Sequence, residues 1–462
     1  MKMERWEKVS GRRLAIICFY LLVSTATSSD GREWDIAGEG GGAGGHERAA
    51  PFLLKETRVV SKSEGGEIRV FKSPSWNGRP PRILVSFVTM EANTLLIPHY
   101  MDADLILFLL KGEAKAGWIH EDDLVERQLK PGDVLHVPAG SAFYFVNTRK
   151  DQKLQFIGAL ESLESDLIGG SAFFIDGGKF PTSVFAGFDI STLTSAFNAT
   201  PEEVGVLKSA SFAGSIIFNT DNEANHLHEV ISDMKSEMKR LKQSRPLKQN
   251  SGKKTVSWTT ILGSIFFGET AKEKNKAKRR ASDPVEAPDA YNVYDREPDF
   301  KNDYGWSVEI NGDDYLPLKQ SDISITLLSL STGSMMAPHM NSRATEYGVV
   351  IAGAGTVEVV YPNGTQAMKA EVREGDVFWV PTFYPFCQVA SRENPMEILG
   401  FTTSWRRSRP QFLVGKSSIL RKMIGSELAA GFGITEEELR KLVTKQNESM
   451  ILPSLKEAGG RG

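Results

Sequence analysis

Three side chains in the second half of the chain have the chemistry of metal ligands: His339, Glu346 and Cys387. A thiolate beside an imidazole is a good donor pair for copper or zinc, and soft ligands favour copper(I) or zinc over magnesium or calcium. The alternative is that Cys387, within the run FYPFCQVA, is a small buried hydrophobic residue of a β-strand. The sequence therefore predicts a copper or zinc site at these three residues, with a structural cysteine as the competing interpretation.

The elements around these residues are short apolar runs separated by Gly, Pro, Asp and Asn, a pattern typical of a β-barrel or β-sandwich. The pattern occurs twice along the chain. The segment PGDVLHVP (131–138) matches EGDVFWVP (374–381), and the pair Pro98-His99 matches Pro338-His339 at nearly the same offset. The chain therefore carries one β-barrel unit in each half.

Each repeat ends in a segment with helix signals, AFNATPEEV in the first half and GFGITEEEL in the second. Thr200 and Thr435 are placed as N-caps, and Glu203 and Glu438 follow three residues later. This arrangement is a capping box, in which the two side chains bond each other's backbone amides. We therefore predict a barrel followed by helices, repeated once.

The spacing in the second half resembles the motifs GX5HXHX3-4EX6G and GX5PXGX2HX3N of the cupin family. The matching residues are Gly333, His339, Glu346, Gly353, Gly375 and Pro381. The resemblance implies a mainly β chain with some α-helix, built from two cupin β-barrels of the jelly-roll type, each followed by a small helical extension. It also implies that three histidines and one glutamate hold a metal in the barrel.

Both halves depart from the ligand set of that family. In the second half, Asn341 and Phe386 stand where the family has histidine, and Cys387 follows at the next position. In the first half only His99 remains, because Met101, Leu105 and Phe143 fill the other three positions. A single imidazole among apolar residues is usually a packed core residue, since a stable metal site needs three or four donors. We expect a degenerate site at His99.

Longer stretches resemble the seed storage globulins of the vicilin (7S) type. They are PHYMDADLILFLLKGEAKAGW in the first half, PHMNSRATEYGVVIAGAGTVEVVYPNG in the second, and GFTTSWRRSRPQFLVGKSSILR after the second barrel. This resemblance implies homotrimers in which the helices of one subunit dock on the next barrel, stored in protein bodies of the vacuole. The chain lacks the long Glu/Gln/Arg tracts of a typical reserve protein.

The predicted domains follow from composition. They are a signal peptide (1–29), a flexible Gly-rich leader (30–60), the N-terminal barrel with its helices (61–230), a basic linker (231–290), the C-terminal barrel with its helices (291–450) and a tail (451–462). Basic residues precede a run whose apolar part is too short to span a bilayer, so we expect cleavage and no stable membrane span. The lysine-rich linker is the expected target of processing proteases.

The signal peptide implies the secretory pathway, with the protein storage vacuole, or alternatively the extracellular space, as the destination. Cys18 lies inside it, so the mature chain keeps only Cys387 and has no internal disulfide. A formal net charge of −3 over 462 residues argues against nucleic-acid binding. Three sequons predict glycosylation at Asn198, Asn363 and Asn447, of which Asn363 lies in a hairpin-like PNG.

Three functions remain open from the sequence. The leading hypothesis is a vicilin-like storage protein, a nutrient reservoir that is not an enzyme. The second is a cupin with a redox role that binds copper or zinc at His339, Glu346 and Cys387. The third is a carrier of a small ligand in an apolar barrel, with His99, Asn147 or Arg407 as its polar contacts.

Overall fold

The fold is described from a computed structural model that covers residues 50–72, 81–161, 172–177, 180–205, 207, 214–218 and 287–453. The predicted signal peptide, the Gly-rich part of the leader and the linker up to residue 286 lie outside these residues.

The first half forms strands of mostly alternating or fully buried residues, followed by two short helices. The elements are β1 (Leu53–Leu54), β2 (Thr57–Ser63), β3 (Gly66–Phe71), β4 (Ile83–Met90), β5 (Thr94–Met101), β6 (Asp104–Lys111), β7 (Ala114–His120), β8 (Asp123–Leu129), β9 (Asp133–Val137), β10 (Phe143–Asn147), β11 (Leu154–Glu161), β12 (Ala172–Phe174), α1 (Ile190–Phe197), α2 (Pro201–Gly205) and β13 (Ile216–Phe218).

The second half repeats this order with one strand much lengthened. The elements are β14 (Tyr291–Asn292), β15 (Phe300–Asn302), β16 (Gly305–Ile310), β17 (Ser324–Leu330), β18 (Met335–Met336), β19 (His339–Met340), β20 (Glu346–Val360), β21 (Gln366–Arg373), β22 (Val377–Val380), β23 (Phe386–Ala390), β24 (Met396–Thr402), β25 (Gln411–Phe412), α3 (Ile419–Lys422), α4 (Ser426–Phe432), α5 (Glu436–Val443) and β26 (Ile451–Leu452).

Two antiparallel sheets form the first barrel. One has the order β14-β9-β6-β11-β4-β3-β2, and the other has the order β12-β5-β10-β7-β8 with β13 also paired to β5. Leu107, Leu109, Trp118 and Phe145 are almost completely buried within this barrel. Apolar side chains from two facing sheets thus form the core, as the resemblance to cupins predicted.

The second barrel is one continuous sheet, because β20 belongs to both of its faces. The first residues of β20 pair with β22 and β24, and its later residues pair with β21 and β23. The corresponding chain in the first barrel divides into β6 and β7 at Gly112, which has a φ of +91°. In β20 the equivalent Gly353 has a φ of +77°, and a Cβ there would lie 1.8 Å from the carbonyl oxygen of Pro395. Glycine is required at both positions.

The two halves exchange their first strands, which the sequence did not predict. Leu53 of β1 lies opposite Phe378 of β22 in the second barrel. Tyr291 of β14 lies opposite Val134 of β9 in the first barrel. Since β9 and β22 come from the matching segments PGDVLHVP and EGDVFWVP, each half completes the other's barrel at the same place.

The barrels also share their core. One cluster of buried apolar side chains includes Ile106 and Phe108 from the first half and Leu318 and Ile325 from the second. At the rim of this contact, Arg82 lies 3.1 Å from Glu161 of its own barrel and 3.2 Å from Asp322 of the other. Because the Arg82 side chain is half exposed, the apolar cluster contributes more to this contact than the ion pairs do.

Both predicted capping boxes are confirmed. The backbone amide of Thr435 donates to Glu438 at 2.9 Å, and the amide of Glu438 donates to the Thr435 hydroxyl at 3.2 Å. The same pair of bonds joins Thr200 and Glu203, at 2.8 and 3.3 Å. None of the helices in the described residues is long and apolar enough to cross a membrane.

Two predicted boundaries need correction. The leader was expected to extend to residue 60, but β1 and the first residues of β2 form sheet before that point, and Phe52 is fully buried. The tail was expected to begin at residue 451, but β26 pairs there with β18, Met336 lying opposite Ile451. Composition did not reveal either segment because each is a short apolar run at the edge of a polar region.

Candidate functional site

His339 lies at the centre of the second barrel and is almost completely buried. Its Nδ1 lies 2.7 Å from the carbonyl oxygen of Ala337, so Nδ1 carries the proton and donates it. The ring packs against Phe386, with centroids 4.2 Å apart, and against Phe412 at 5.4 Å. Burial lowers the pKa of His339 to about 4. The imidazole is therefore neutral at physiological pH, and Nε2 is an acceptor.

Glu346, at the start of β20, lines the same cavity as His339. Desolvation raises the pKa of Glu346 to about 7. Asn341, which stands at a histidine position of the cupin motif, donates from Nδ2 to Glu346 at 2.9 Å. The Oδ1 atom of Asn341 accepts from the backbone amides of Arg343 and Ala344. Asn341 thus stabilises the turn that follows it and hydrogen-bonds the carboxyl group of Glu346.

A second carboxyl group, Glu309 on β16, borders the cavity and was not identified from the sequence. Desolvation raises the pKa of Glu309 to about 7 although it accepts a hydrogen bond from the amide of Ser408. Arg407 lies beside it and pairs with Asp299 at 2.8 Å. The cavity has a volume of about 220 Å³. Its polar side is therefore mainly acidic, with a cation at its edge.

Cys387 does not join this cavity. On β23 the buried residues Phe386 and Gln388 face the barrel interior, and Cys387 lies between them with its side chain on the opposite face. It pairs with Glu358 on β20, where Glu358 forms an ion pair with Lys369 at 2.7 Å. Burial, and next the Glu358 charge, raise the pKa of Cys387 to about 11.

The donors in the second cavity do not fit the metal of the cupin motif. The structure brings His339 and Glu346 to one cavity but separates Cys387 from them by the thickness of the sheet. Across the described ranges, no group of three or more His, Cys, Asp or Glu side chains could hold a metal ion. Without Cys387 the predicted set is reduced to His339 and Glu346, and these two donors are fewer than a zinc site requires. The predicted pairing of His339 with Cys387 is corrected accordingly.

His99 has the same surroundings in the first barrel. Its Nδ1 donates to the carbonyl oxygen of Ile97 at 2.8 Å. Its ring lies 4.2 Å from that of Phe143 and 5.1 Å from that of Phe174. Burial lowers the pKa of His99 to about 4. The two histidines are therefore structural equivalents. In each, Nδ1 donates to the carbonyl oxygen of the residue two positions earlier.

The cavity beside His99 has a volume of about 410 Å³ and differs from the second in its lining. Leu105 occupies the place that Glu346 has in the second barrel, since Leu105 lies opposite Val137 of β9 and Glu346 lies opposite the equivalent Val380 of β22. Asn147 lies at the far end of β10 and holds a loop, donating to the carbonyl oxygens of Glu91 and Gln152. Three residues were predicted as polar contacts for a ligand. His99 lines the cavity of the first barrel and Arg407 lines that of the second. Asn147 instead stabilises a loop through its hydrogen bonds to backbone carbonyls.

The three sequon asparagines Asn198, Asn363 and Asn447 are exposed. Asn363 lies in the turn that joins β20 to β21, where its Oδ1 accepts from the amide of Thr365 at 3.0 Å. This confirms the predicted hairpin.

Comparison with known proteins agrees with the architecture. The sequence profile of the cupin family matches residues 52–205 and 291–440. A vicilin-like seed storage protein of Arabidopsis thaliana is 43% identical over 419 residues, which cover 87% of this chain and 80% of that protein. The beta-conglycinin beta subunit 1 of Glycine max is 25% identical, covering 89% and 90%. The crystal structure of vicilin from Corylus avellana aligns with a TM-score of 0.70 at 21% identity, covering 87% of this chain and 100% of that one.

Proposed function

Since the chain belongs to the cupin family and, within it, to the vicilin-like bicupin globulins, we propose that it is a seed storage protein, a nutrient reservoir without catalytic activity. The observation that carries the proposal is the 43% identity to a vicilin-like seed storage protein across both barrels. A storage role requires a compact protein that accumulates and is later digested. It does not require a catalytic or ligand-binding site.

The state of the two cavities supports a role without catalysis. Cupin metalloenzymes need several metal ligands and open coordination positions. The first cavity has one imidazole, and the second has one imidazole and carboxyl groups, with Cys387 outside it. Among the described residues, neither cavity therefore holds a ligand set for a redox metal, which weakens the copper or zinc hypothesis for His339, Glu346 and Cys387.

We propose that the protein forms a homotrimer through its helical extensions. Phe188, just before α1, and Phe197, its last residue, are about half exposed, and so is Phe432 of α4, whereas Leu442 of α5 is 63% exposed. Contiguous exposed apolar patches mark association surfaces, and we propose that these side chains belong to such patches. Because the two extensions lie on different halves, a contact between them is head-to-tail, and such a contact builds a ring of identical subunits when its rotation closes.

The assembly can be measured by light scattering coupled to size exclusion. Leu442→Asp should shift the trimer toward monomer because it puts a charge in the contact. Lys441→Glu, at an exposed neighbouring position of the same helix, should leave the trimer intact. A monomeric wild-type protein would contradict the proposed assembly.

We further propose transport to the storage vacuole, glycosylation at Asn198, Asn363 and Asn447, and cleavage in the basic linker. The exchange of β1 and β14 supports a nicked protein that stays assembled, since each half keeps a strand of the other's barrel. Quantitative proteomics through seed maturation and germination tests the storage role. Accumulation in maturing seeds followed by loss on germination is expected, and presence in leaves with absence from seeds would overturn it.

A further inference from the structure

The rim of the second barrel around Asn341 brings exposed arginines together with an exposed phenylalanine. The amide of Phe383 donates to the carbonyl oxygen of Asn341 at 2.7 Å, and the amide of Arg343 donates to Asn341 Oδ1 at 2.9 Å. Nδ2 of Asn341 donates to the hydroxyl of Ser408 at 3.0 Å, and both chain neighbours of Ser408 are arginines. We call the four residues that converge here the Asn341 rim: Arg343, Phe383, Arg407 and Arg409.

Phe383 has a backbone conformation that is unfavourable for a bulky residue. Its φ is +72°, and it is the only aromatic residue with a positive φ in the described part of the chain. The matching position of the first barrel is Gly140, with a φ of +77° and an amide that donates to Met101 at 2.8 Å. A Cβ at Gly140 would meet no atom within 4 Å, so this position faces open space. Since the Phe383 ring is 59% exposed and contributes little to the core, the strained conformation indicates a role outside the fold.

The arginines of the Asn341 rim carry more positive charge than their ion pairs neutralise. Arg407 pairs with Asp299 at 2.8 Å, but Asp299 also pairs with Arg296 at 3.0 Å. Arg343 and Arg409 are exposed, and neither forms an ion pair with another described residue. The rim is therefore locally basic, although the whole chain has a formal net charge of −3.

Two carboxyl groups lie behind the rim, in the cavity of the second barrel. Glu346 accepts a hydrogen bond from Asn341, and Glu309 accepts one from the amide of Ser408. Because both carboxyl groups line the cavity and the rim arginines are exposed, a surface that approaches from solvent meets the arginines first.

The corresponding edge of the first barrel is acidic, and its described carboxylates are engaged within their own subunit. Strand β11, the equivalent of β24, ends at Glu161, which pairs with Arg82 at 3.1 Å. Asp104 accepts from the amide of Ala139 at 2.9 Å. The first-barrel edge of a second copy therefore has little free negative charge to offer the Asn341 rim, and a different anionic partner is favoured.

We propose that the Asn341 rim docks on an anionic lipid surface. The planar guanidinium groups match lipid phosphates and carboxylates, and each basic side chain near such a surface strengthens binding. The Phe383 ring lies among the headgroups, where an aromatic side chain is favoured and needs no preformed pocket in its partner. This contact goes beyond storage, and the storage role stands whether or not a lipid surface is bound.

The test is cosedimentation with lipid vesicles at pH 7 and low salt, using the protein without its predicted signal peptide. One set of vesicles is phosphatidylcholine alone, and the other also contains phosphatidylserine. We expect binding to the anionic vesicles that is at least about tenfold tighter and that weakens as salt is added. The basic linker is the same in every variant, so a difference between variants reports the rim alone.

Matched variants assign the binding to the rim. Arg343→Gln should weaken binding to anionic vesicles by about fivefold, and Phe383→Gly by about tenfold. Phe383→Gly keeps the fold because glycine adopts a positive φ without strain, and thermal melts verify this. Phe383→Trp should retain binding, and Lys150→Gln, on an exposed loop of the first barrel, should leave it unchanged.

Three outcomes overturn the proposal: no binding to anionic vesicles, equal binding to phosphatidylcholine vesicles, or unchanged binding in both Arg343→Gln and Phe383→Gly. A loss in Arg343→Gln with full affinity in Phe383→Gly would also overturn it, because the rim would then recognise anionic groups without contacting a bilayer. Self-association that is lost in Arg343→Gln, without vesicle binding, would assign the rim to an acidic protein surface instead.

Discussion

The two barrels contain the same histidine in two different cavities. His99 and His339 each donate to the carbonyl two residues earlier and each pack against two phenylalanine rings. Their surroundings differ at one position of the equivalent strand, which is Leu105 in the first barrel and Glu346 in the second. The shared features are those that shape a barrel, and the unshared feature is the carboxyl group, which is the acidic ligand of the metal-binding motif.

This difference separates packing from chemistry. A histidine kept in both halves beside the same rings contributes to the core of each barrel, whatever else lines the cavity. A carboxyl group present in only one half is not a general requirement of the barrel fold. We therefore interpret the histidines as structural and the carboxyl groups of the second cavity as a local property of that barrel.

The exchanged first strand gives the largest expected effect. Phe52 is fully buried against Trp379 and Tyr384 of the second barrel, with centroids 5.4 and 5.7 Å away. Phe52→Ala should lower the free energy of unfolding by about 3–5 kcal/mol because it leaves a cavity. Urea denaturation measures the change. Leu53→Ala, at a partly exposed neighbouring position, should cost less, and equal losses would show that the strand is not part of the barrel.

Acid should destabilise both barrels alike through their histidines. Burial lowers the folded-state pKa of His99 and His339 from 6.5 to about 4. Each neutral ring therefore contributes stability above pH 6.5 that is lost as the pH falls through 4. The contribution is about 3 kcal/mol for each histidine.

His99→Asn and His339→Asn keep a donor at the δ position but do not titrate. Each should reduce the fall in unfolding free energy between pH 7 and pH 4, as measured by urea denaturation. A reduction in only one variant would contradict the equivalence of the two histidines.

Glu346 should give the second barrel a pH dependence of the opposite sign. Desolvation raises its folded-state pKa from 4.5 to about 7, so it stabilises the protein below pH 4.5 and that stability is lost as the pH rises through 7. Between pH 5 and pH 8 the loss is about 2 kcal/mol. Glu346→Gln should remove it in thermal melts across this range. Glu393→Gln, on an exposed loop, is the control, and an equal effect there would exclude a special role for Glu346.

The sequence predicted the repeat, both capping boxes and the hairpin at Asn363 because each rests on local spacing. It did not predict the strand exchange, since β1 and β14 are two residues long and their partners lie in the other half. The side of the sheet that Cys387 faces could have been predicted from the sequence. In a strand that contains Phe386, neighbouring side chains point to opposite faces, so Cys387 cannot share the face of the residue beside it. Glu309 was not predicted because its strand, β16, contains no recognisable motif.

The central claim is that both histidines serve packing and that the described residues of neither barrel form a metal site. Metal analysis of protein purified without chelators, before and after dialysis against zinc or copper(I), tests it most directly. We predict well below one ion per subunit in both samples. One tightly bound ion per subunit that is lost in His339→Ala and retained in Cys387→Ser would contradict the claim.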